Sequence, residues 1–423
     1  MRLNNLNEKT ILHQGVEWFS AIATLWLMAS LLLTFECQRL SLFIYAIATV
    51  ADVVMNKRYS GVKWEKRRWV FAAMVAFYAC MWIWHIFEAC CSPEYFHSTD
   101  TRVPLLAFGA LGLCTNLNPR IKVEYITMTM LAASMGTLAY ILYDHHEFIA
   151  NNIKTINEFR DNISILRDRS TKTTHIGSNV YMNCTMAMCF VTAWGERKWW
   201  KKGVLYAGVA MMYATISLSE GRAGLITTNL LLITFIGYAI YKHYRKAVVP
   251  MVMVCVAVAA IGMSKHSRLQ MDVIKNEPRI LIWGEAMGLI KERPVLGHGV
   301  CDGREKFVTA TLNNEMIVKN FWNNWMKKHP DYRVERFHCH NVFIESALEF
   351  GVVGLTLSIA LFVLPIAMVR GRRRVYMAIV MAIFLIQAMF EALTSHFQPM
   401  LFCLLIYMLA LGEKEEWDED QMC

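Results

Sequence analysis

Two histidines separated by one residue, His338-Cys339-His340, close a polar stretch of this chain; Asn341 follows at once, then Glu345 and Glu349 as a new apolar run begins. Histidine is the side chain best suited to take a proton near neutral pH, which makes His340 a candidate general base. On a helix Glu345 and Glu349 share a stripe with Asn341, and Asn341 or Glu345 is placed to orient that base. Ionisable groups at membrane depth are costly, so they point to function by default. A structural histidine that caps the new helix through a hydrogen bond fits the same residues. A metal reading needs ligands beyond one His-x-His pair.

Two arginines offer the complementary chemistry. Arg222 sits in the tight turn Leu218-Ser219-Glu220-Gly221-Arg222-Ala223-Gly224. There its permanent charge adds to the unpaired N–H groups and dipole of a helix N-terminus, which together favour an anion. Its planar fork matches phosphate oxygens. An arginine snorkelling to the membrane interface fits that position equally. Arg279, in Pro278-Arg279-Ile280-Leu281, either meets phosphate in the same way or forms a surface pair with Glu277 or Glu285. Glu391 and His396, near the outer end of a later apolar run, could also face the site, although packing or pairing accounts for them more simply.

The elements that must position these residues are hydrophobic. The chain of 423 residues is 56% hydrophobic and 18% charged, with a mean hydropathy of +0.32. That composition argues against a soluble globule. Apolar runs cover 16–35, 40–56, 69–88, 103–117, 124–143, 178–195, 203–219, 223–241, 247–264, 342–369, 375–393 and 398–412. The expectation is an all-α, polytopic membrane protein with about 12 transmembrane helices, each needing roughly 20 residues. Asp52 interrupts the second run, and the fourth is short, with Gly109 and Gly112 inside it. The first run lacks a small-residue cleavage site and reads as a spanning helix.

The net charge of +9 sits in short loops, a topology signal that gives no reason to invoke nucleic acid. Lys57 to Arg68, Arg197 to Lys202, Lys242 to Lys246 and Arg370 to Arg374 fall on one face, which is cytoplasmic by the positive-inside rule. The acidic tail, 413–423, lies on that side too. Of the twelve cysteines, none has metal-type spacing, and Cys90, Cys91, Cys301 and Cys339 fall in outer loops where pairing is open.

The chain thus divides into spans within 1–264, an outer loop at 144–176, a large outer loop at 265–340 between spans 9 and 10, and spans within 341–412. The first outer loop carries Ile149, Ile153, Ile156, Phe159 and Ile163 at amphipathic-helix spacing, suited to the membrane surface. In the large loop, Pro278 opens a short helix whose Ile280, Trp283, Met287 and Ile290 share a face, and Pro294 stops it. A second helix is expected over 305–328, before Pro330.

At these residues the chain resembles the O-antigen ligase and O-antigen polymerase superfamily of bacterial envelope glycosyltransferases. The similarity rests on Arg222 in a Ser-rich outer turn, on Arg279 and Trp283 followed by Pro294, Gly297 and Gly299, and on His340-Asn341 with Glu349, Gly351 and Gly354 downstream. It is specific over roughly 217–354. The resemblance implies a GT-C-like membrane glycosyltransferase at the bacterial inner membrane with its site on the periplasmic face. It implies an undecaprenyl-diphosphate-linked glycan as donor and a sugar hydroxyl of lipid A-core as acceptor, in an inverting, metal-independent reaction without a cofactor. His340, Arg222 and Arg279 would then be catalytic, and His338, Asn341, Glu345, Arg167, Arg169 and Asn179 would bind substrate.

The residues suit that chemistry. Diphosphate is a good leaving group, so cations suffice to stabilise it. The absence of an obvious carboxylate pair speaks against a glycosidase. A polymerase acting on carrier-linked repeats uses the same signature, and a protein O-oligosaccharyltransferase is a further relative. A transporter is the reading from a different class; such proteins tend to show repeated halves, which this sequence does not.

Overall fold

A computed structural model of the chain describes residues 2–87, 97–116, 121–171, 173–218, 221–243, 253, 278–328, 333–334 and 337–411. Among them it is all-helical. The long helices of the first half are α1 (Arg2–Ser30), α2 (Phe35–Met55), α3 (Arg68–His85), α4 (His97–Cys114) and α5 (Val123–Asp144). Two shorter ones follow, α6 (His146–Asn152) and α7 (Ile156–Thr171), then α8 (His175–Gly195), α9 (Trp199–Leu218) and α10 (Arg222–His243). The polar loop folds as α11 (Pro278–Glu292), α12 (Val300–Asn313) and a broken α13 (Glu315–Ile317, a π turn at Val318–Trp322, Asn323–Lys328). Last come α14 (Val342–Met368), α15 (Gly371–Ala388), a 3-10 turn at Leu393–Ser395 and α16 (Phe397–Ala410).

Every expected apolar run falls on a helix except 247–264, which apart from residue 253 lies outside the described residues, as do 265–277, Cys90, Cys91 and the acidic tail. Among the described residues, four helical stretches are long and apolar enough to cross a membrane by length and composition: Phe35–Met55, Val123–Asp144, Ala223–Lys242 and Val342–Met368.

The weak fourth run finds its explanation in packing. A side chain at Gly109 would meet Val75 at 2.8 Å, and one at Gly112 would overlap the Phe71 ring. The paired glycines therefore let α4 lie close against α3, as small residues do between membrane helices. Arg68, one of the basic residues of the first inner loop, is 2% exposed. Its guanidinium donates to the Gly112 and Leu113 carbonyls at 2.9 and 2.6 Å and to Asn116 Oδ1 at 2.7 Å. It satisfies carbonyls that the end of α4 leaves without helical partners.

The first outer segment is not one helix. Thr155 and Glu158 form a reciprocal cap, with Glu158 N–H donating to Thr155 Oγ1 at 3.2 Å and Thr155 N–H to Glu158 Oε2 at 3.2 Å, so a new helix starts after Ile153. Its apolar side packs against the end of α5, through Ile141, Ile163 and Leu166 with Ile149, Ile153 and Phe159 beside them.

The large loop has its own core of Ile282, Ala286, Phe307, Val308, Ile317, Trp322, Phe337, Cys339 and Leu348. Here two expectations change. Ile280 and Met287 are exposed, and Ile282 and Ala286 face the core, because α11 is apolar around most of its circumference and periodicity alone does not choose a side. The second helix breaks at Asn314, whose side chain accepts from the N–H groups of Met316 and Ile317 at 3.0 and 3.2 Å and caps a fresh turn.

α14 is not a straight span. Gly351 takes φ 62° and ψ −146°, a break between two helices, 342–350 and 352–368. The halves fold back until Ser358 Oγ donates to Ser346 Oγ at 2.6 Å, a contact impossible at twelve residues' separation along one helix. The second half spans roughly 25 Å at 1.5 Å per residue, and the first is a short buried helix. A Cβ at Gly351 would collide with the Val295 carbonyl, and one at Gly297 would lie 2.5 Å from that of Glu349. Between them run the backbone bonds His298 N–H to Leu348 O at 2.9 Å, Gly299 N–H to Glu349 O at 2.8 Å and Val352 N–H to Pro294 O at 2.9 Å. The two glycine motifs of the sequence are the two sides of one backbone contact.

Candidate active site

The turn before α14 is held at several points. Asn341 caps the short helix, its Oδ1 accepting from Phe343 and Ile344 N–H at 2.9 and 3.0 Å, while its Nδ2 donates to the Met389 carbonyl at 2.9 Å. Trp283 Nε1–H on α11 donates to the Cys339 carbonyl at 2.8 Å. Between these anchors His340 adopts φ 50°, a left-handed conformation uncommon outside glycine. Its N–H donates to His338 Nδ1 at 3.3 Å, so that nitrogen carries no proton. Burial, reinforced by His340, His396, Arg304 and Arg279, holds His338 well below the ordinary imidazole range.

Opposite this turn, beyond the end of α15, stands Glu391. Its Oε2 lies 3.2 Å from His340 Nδ1 and its Oε1 accepts from Arg279 Nη2 at 2.8 Å. A carboxylate only accepts, so Nδ1 holds the proton and Nε2 of His340 presents its lone pair. Glu391 is 6% exposed, while His340 and Arg279 are 25% and 29% exposed. A carboxylate buried to that degree needs both donors, the Arg279 cation and the His340 N–H. His396 stacks edge-on to His338 at 5.4 Å between centroids, and burial above all pushes it below its usual range.

The remaining carboxylates form a second, sealed cluster. Arg102 on α4 grips Glu349 with two bonds, at 2.6 and 3.3 Å, and lies 3.8 Å from Glu345. Arg304 on α12 donates to Glu345 Oε1 at 2.9 Å. Ser395 Oγ bridges the two sides, accepting from Arg102 at 3.3 Å and donating to Glu345 at 3.0 Å. The guanidinium of Arg102 is 0% exposed. Glu345 is thus engaged away from His340, and the carboxylate facing His340 is Glu391.

The other expected residues are spread more widely. The side chain of Arg222 lies outside the described residues, but its backbone opens α10 directly after Gly221. Asn179 packs beneath that turn, close enough that a Cβ at Gly221 or Gly224 would collide with its amide. His175, at the start of α8, borders Gly221 at 3.5 Å from the same Cβ position and also acts electrostatically on Glu391. The Arg222 turn therefore adjoins the Glu391 group. Arg167 is buried and Arg169 exposed on α7.

Cys301 and Cys339 are buried and form no disulfide among the described residues, and burial, with Glu345 and Glu349 behind it, pushes Cys339 well above its usual range. Among the described residues no group of three or more His, Cys, Asp or Glu is arranged to hold a metal ion.

Sequence reasoning underweighted Glu391 and missed Arg102, Arg304, His175 and Ser395. An ionisable residue closing an apolar run was the available signal for Glu391 and Arg102; for Ser395 there was none.

No curated protein matches the chain. The family model described as O-antigen ligase matches residues 207–359, a segment that runs from within α9 through the polar loop to the second half of α14 and holds Arg222, Arg279, His338, His340, Asn341 and Glu345. Members of that family are glycosyltransferase-like enzymes, and over 207–359 the chain carries a domain similar to theirs, consistent with the O-antigen ligase and polymerase superfamily.

Proposed function

We propose that the protein is an O-antigen ligase-type glycosyltransferase of a bacterial inner membrane, crossing it about twelve times with its site on the periplasmic face. It moves a glycan from undecaprenyl diphosphate to a sugar hydroxyl of lipid A-core. The observation that carries this reading is Glu391 shared between His340 and Arg279, beside the Arg222 turn, with two of the three groups half-buried at the mouth of the helices.

The geometry suits a single displacement at the anomeric carbon. The acceptor hydroxyl gives its proton to His340 Nε2 as its oxygen forms the new glycosidic bond. The bond from the anomeric carbon to phosphate breaks, and its electrons leave with the diphosphate. Arg279 and Arg222 carry charge that does not titrate and stabilise the departing anion. Arg279 has five N–H donors, enough to keep Glu391 and to meet phosphate oxygens as well. Glu391 fixes the tautomer of His340 and stabilises the imidazolium that forms. His338, held neutral, adds no competing charge. Attack from the face opposite the diphosphate inverts the anomeric centre.

The test is a purified assay with a defined undecaprenyl-diphosphate glycan and two acceptors, lipid A-core and a second carrier-linked repeat, in wild type and His340→Ala. Product on lipid A-core that falls by about three orders of magnitude in His340→Ala supports a ligase with that base. Lengthening of the carrier-linked chain reassigns the protein as a polymerase, and turnover abolished by chelator overturns the metal-independent mechanism.

A further inference from the structure

The sealed cluster lies off the proposed reaction path, yet it joins the two segments that create the site. Glu345 lies one helical turn after His340-Asn341, and Ser395 lies one turn after Glu391. Arg102 holds both sides: it bonds Glu349 at 2.6 and 3.3 Å on the short helix and Ser395 Oγ at 3.3 Å in the turn before α16. Ser395 in turn donates to Glu345 at 3.0 Å. The only other described tie of this kind between the segments is Asn341 Nδ2 to the Met389 carbonyl, apart from the His340 contact with Glu391 itself.

A buried ion cluster of this size is a poor source of stability, since apolar residues of equal volume serve as well or better. What it supplies is geometry: the two-pronged grip of a guanidinium on a carboxylate tolerates little sliding or rotation. The cluster is also incomplete, because Arg102 Nε and Glu345 Oε2 are buried without a hydrogen-bond partner among the described residues. Arg102 comes from α4, outside the 207–359 match.

We propose that Arg102, acting with Ser395 through Glu345 and Glu349, is a positioning residue that sets the distance and orientation between His340 and Glu391. The inference rests on the glycosyltransfer reading for its kinetic arm only.

The test uses the full chain in detergent with Arg102→Lys, which keeps the charge and loses the fork, and Ser395→Ala, which deletes one hydroxyl. The imidazole 15N signals of His340, assigned by their loss in His340→Ala, are compared with those of wild type and Glu391→Gln. Expected are His340 signals moved toward those of Glu391→Gln in both variants. In transfer, kcat should fall roughly tenfold to a hundredfold with KM within about twofold, and adding Ser395→Ala to Glu391→Gln should slow the enzyme little further. Wild-type His340 signals in the folded variants, or losses that multiply in the double variant, overturn the proposal. Should Arg102→Lys fail to fold, Ser395→Ala decides alone. An inactive wild type overturns the glycosyltransfer reading, while the His340 signals still decide the positioning role.

Discussion

Two clusters of arginine and glutamate lie within a few turns of each other and differ chiefly in exposure. In one, Arg279 and His340 share Glu391 at 29% and 25% exposure. In the other, Arg102 and Arg304 share Glu345 and Glu349 at 0% and 6%. The same residue types therefore do different work. A half-open arginine can trade part of its hydration for a substrate phosphate, whereas a sealed one has no room for a ligand and can only hold its partners. Exposure, and not residue type, separates the two clusters and leaves only the first open to a ligand.

That contrast is broken most severely from the sealed side. Arg102→Met strands Glu349 and Glu345 in the interior, and removing one partner of a buried pair costs about 3–5 kcal/mol. Thermal unfolding in detergent should show a large drop in midpoint, and an unchanged midpoint would mean that water already reaches the cluster. Glu391→Gln should act the other way. It keeps the shape, frees His340 to adopt the wrong tautomer, and slows transfer on the order of a hundredfold, about 2.7 kcal/mol of barrier, with the fold intact. Wild-type kcat in that variant would remove Glu391 from the site.

Gly351→Ala probes the backbone contact between the clusters. Positive φ and a collision with Val295 should cost about 1–3 kcal/mol in the same unfolding measurement. The smallest effect on stability is expected from Arg279→Lys, under about 1 kcal/mol because the lysine keeps a cation beside Glu391 and no buried charge is stranded, while transfer falls roughly tenfold as the planar fork is lost. Equal stability losses for Arg102→Met and Arg279→Lys would erase the distinction between the clusters.

Much of the site was legible as motif without being legible as cause. Pro294, Gly297 and Gly299 and the later Glu349, Gly351 and Gly354 stand out in the sequence, but only the fold shows that one set leaves room for the other's backbone. His340 and Arg279 were singled out from residue type and place in the chain, and the fold brings both to Glu391. Their shared partner was assigned to packing or pairing with no partner named, because a glutamate fifty-one residues beyond His340 carries no local mark of its contact. Glu345, adjacent in sequence, was the natural guess and is taken by Arg304 and Arg102. Gly109 and Gly112, which weaken α4 as an apolar run, are what lets that helix approach α3 and carry Arg102 inward.

Apolar periodicity, run length and the distribution of basic loops determined by themselves that the chain is helical and built of apolar helices suited to a membrane, and they drew attention to one polar segment, because burial of apolar surface and hydration of charge are properties of local composition. Which carboxylate faces His340, where α14 breaks and which arginines are sealed were decided only by tertiary structure. A charge's partner and its access to water depend on residues far apart in the chain, and no spacing rule reaches across them.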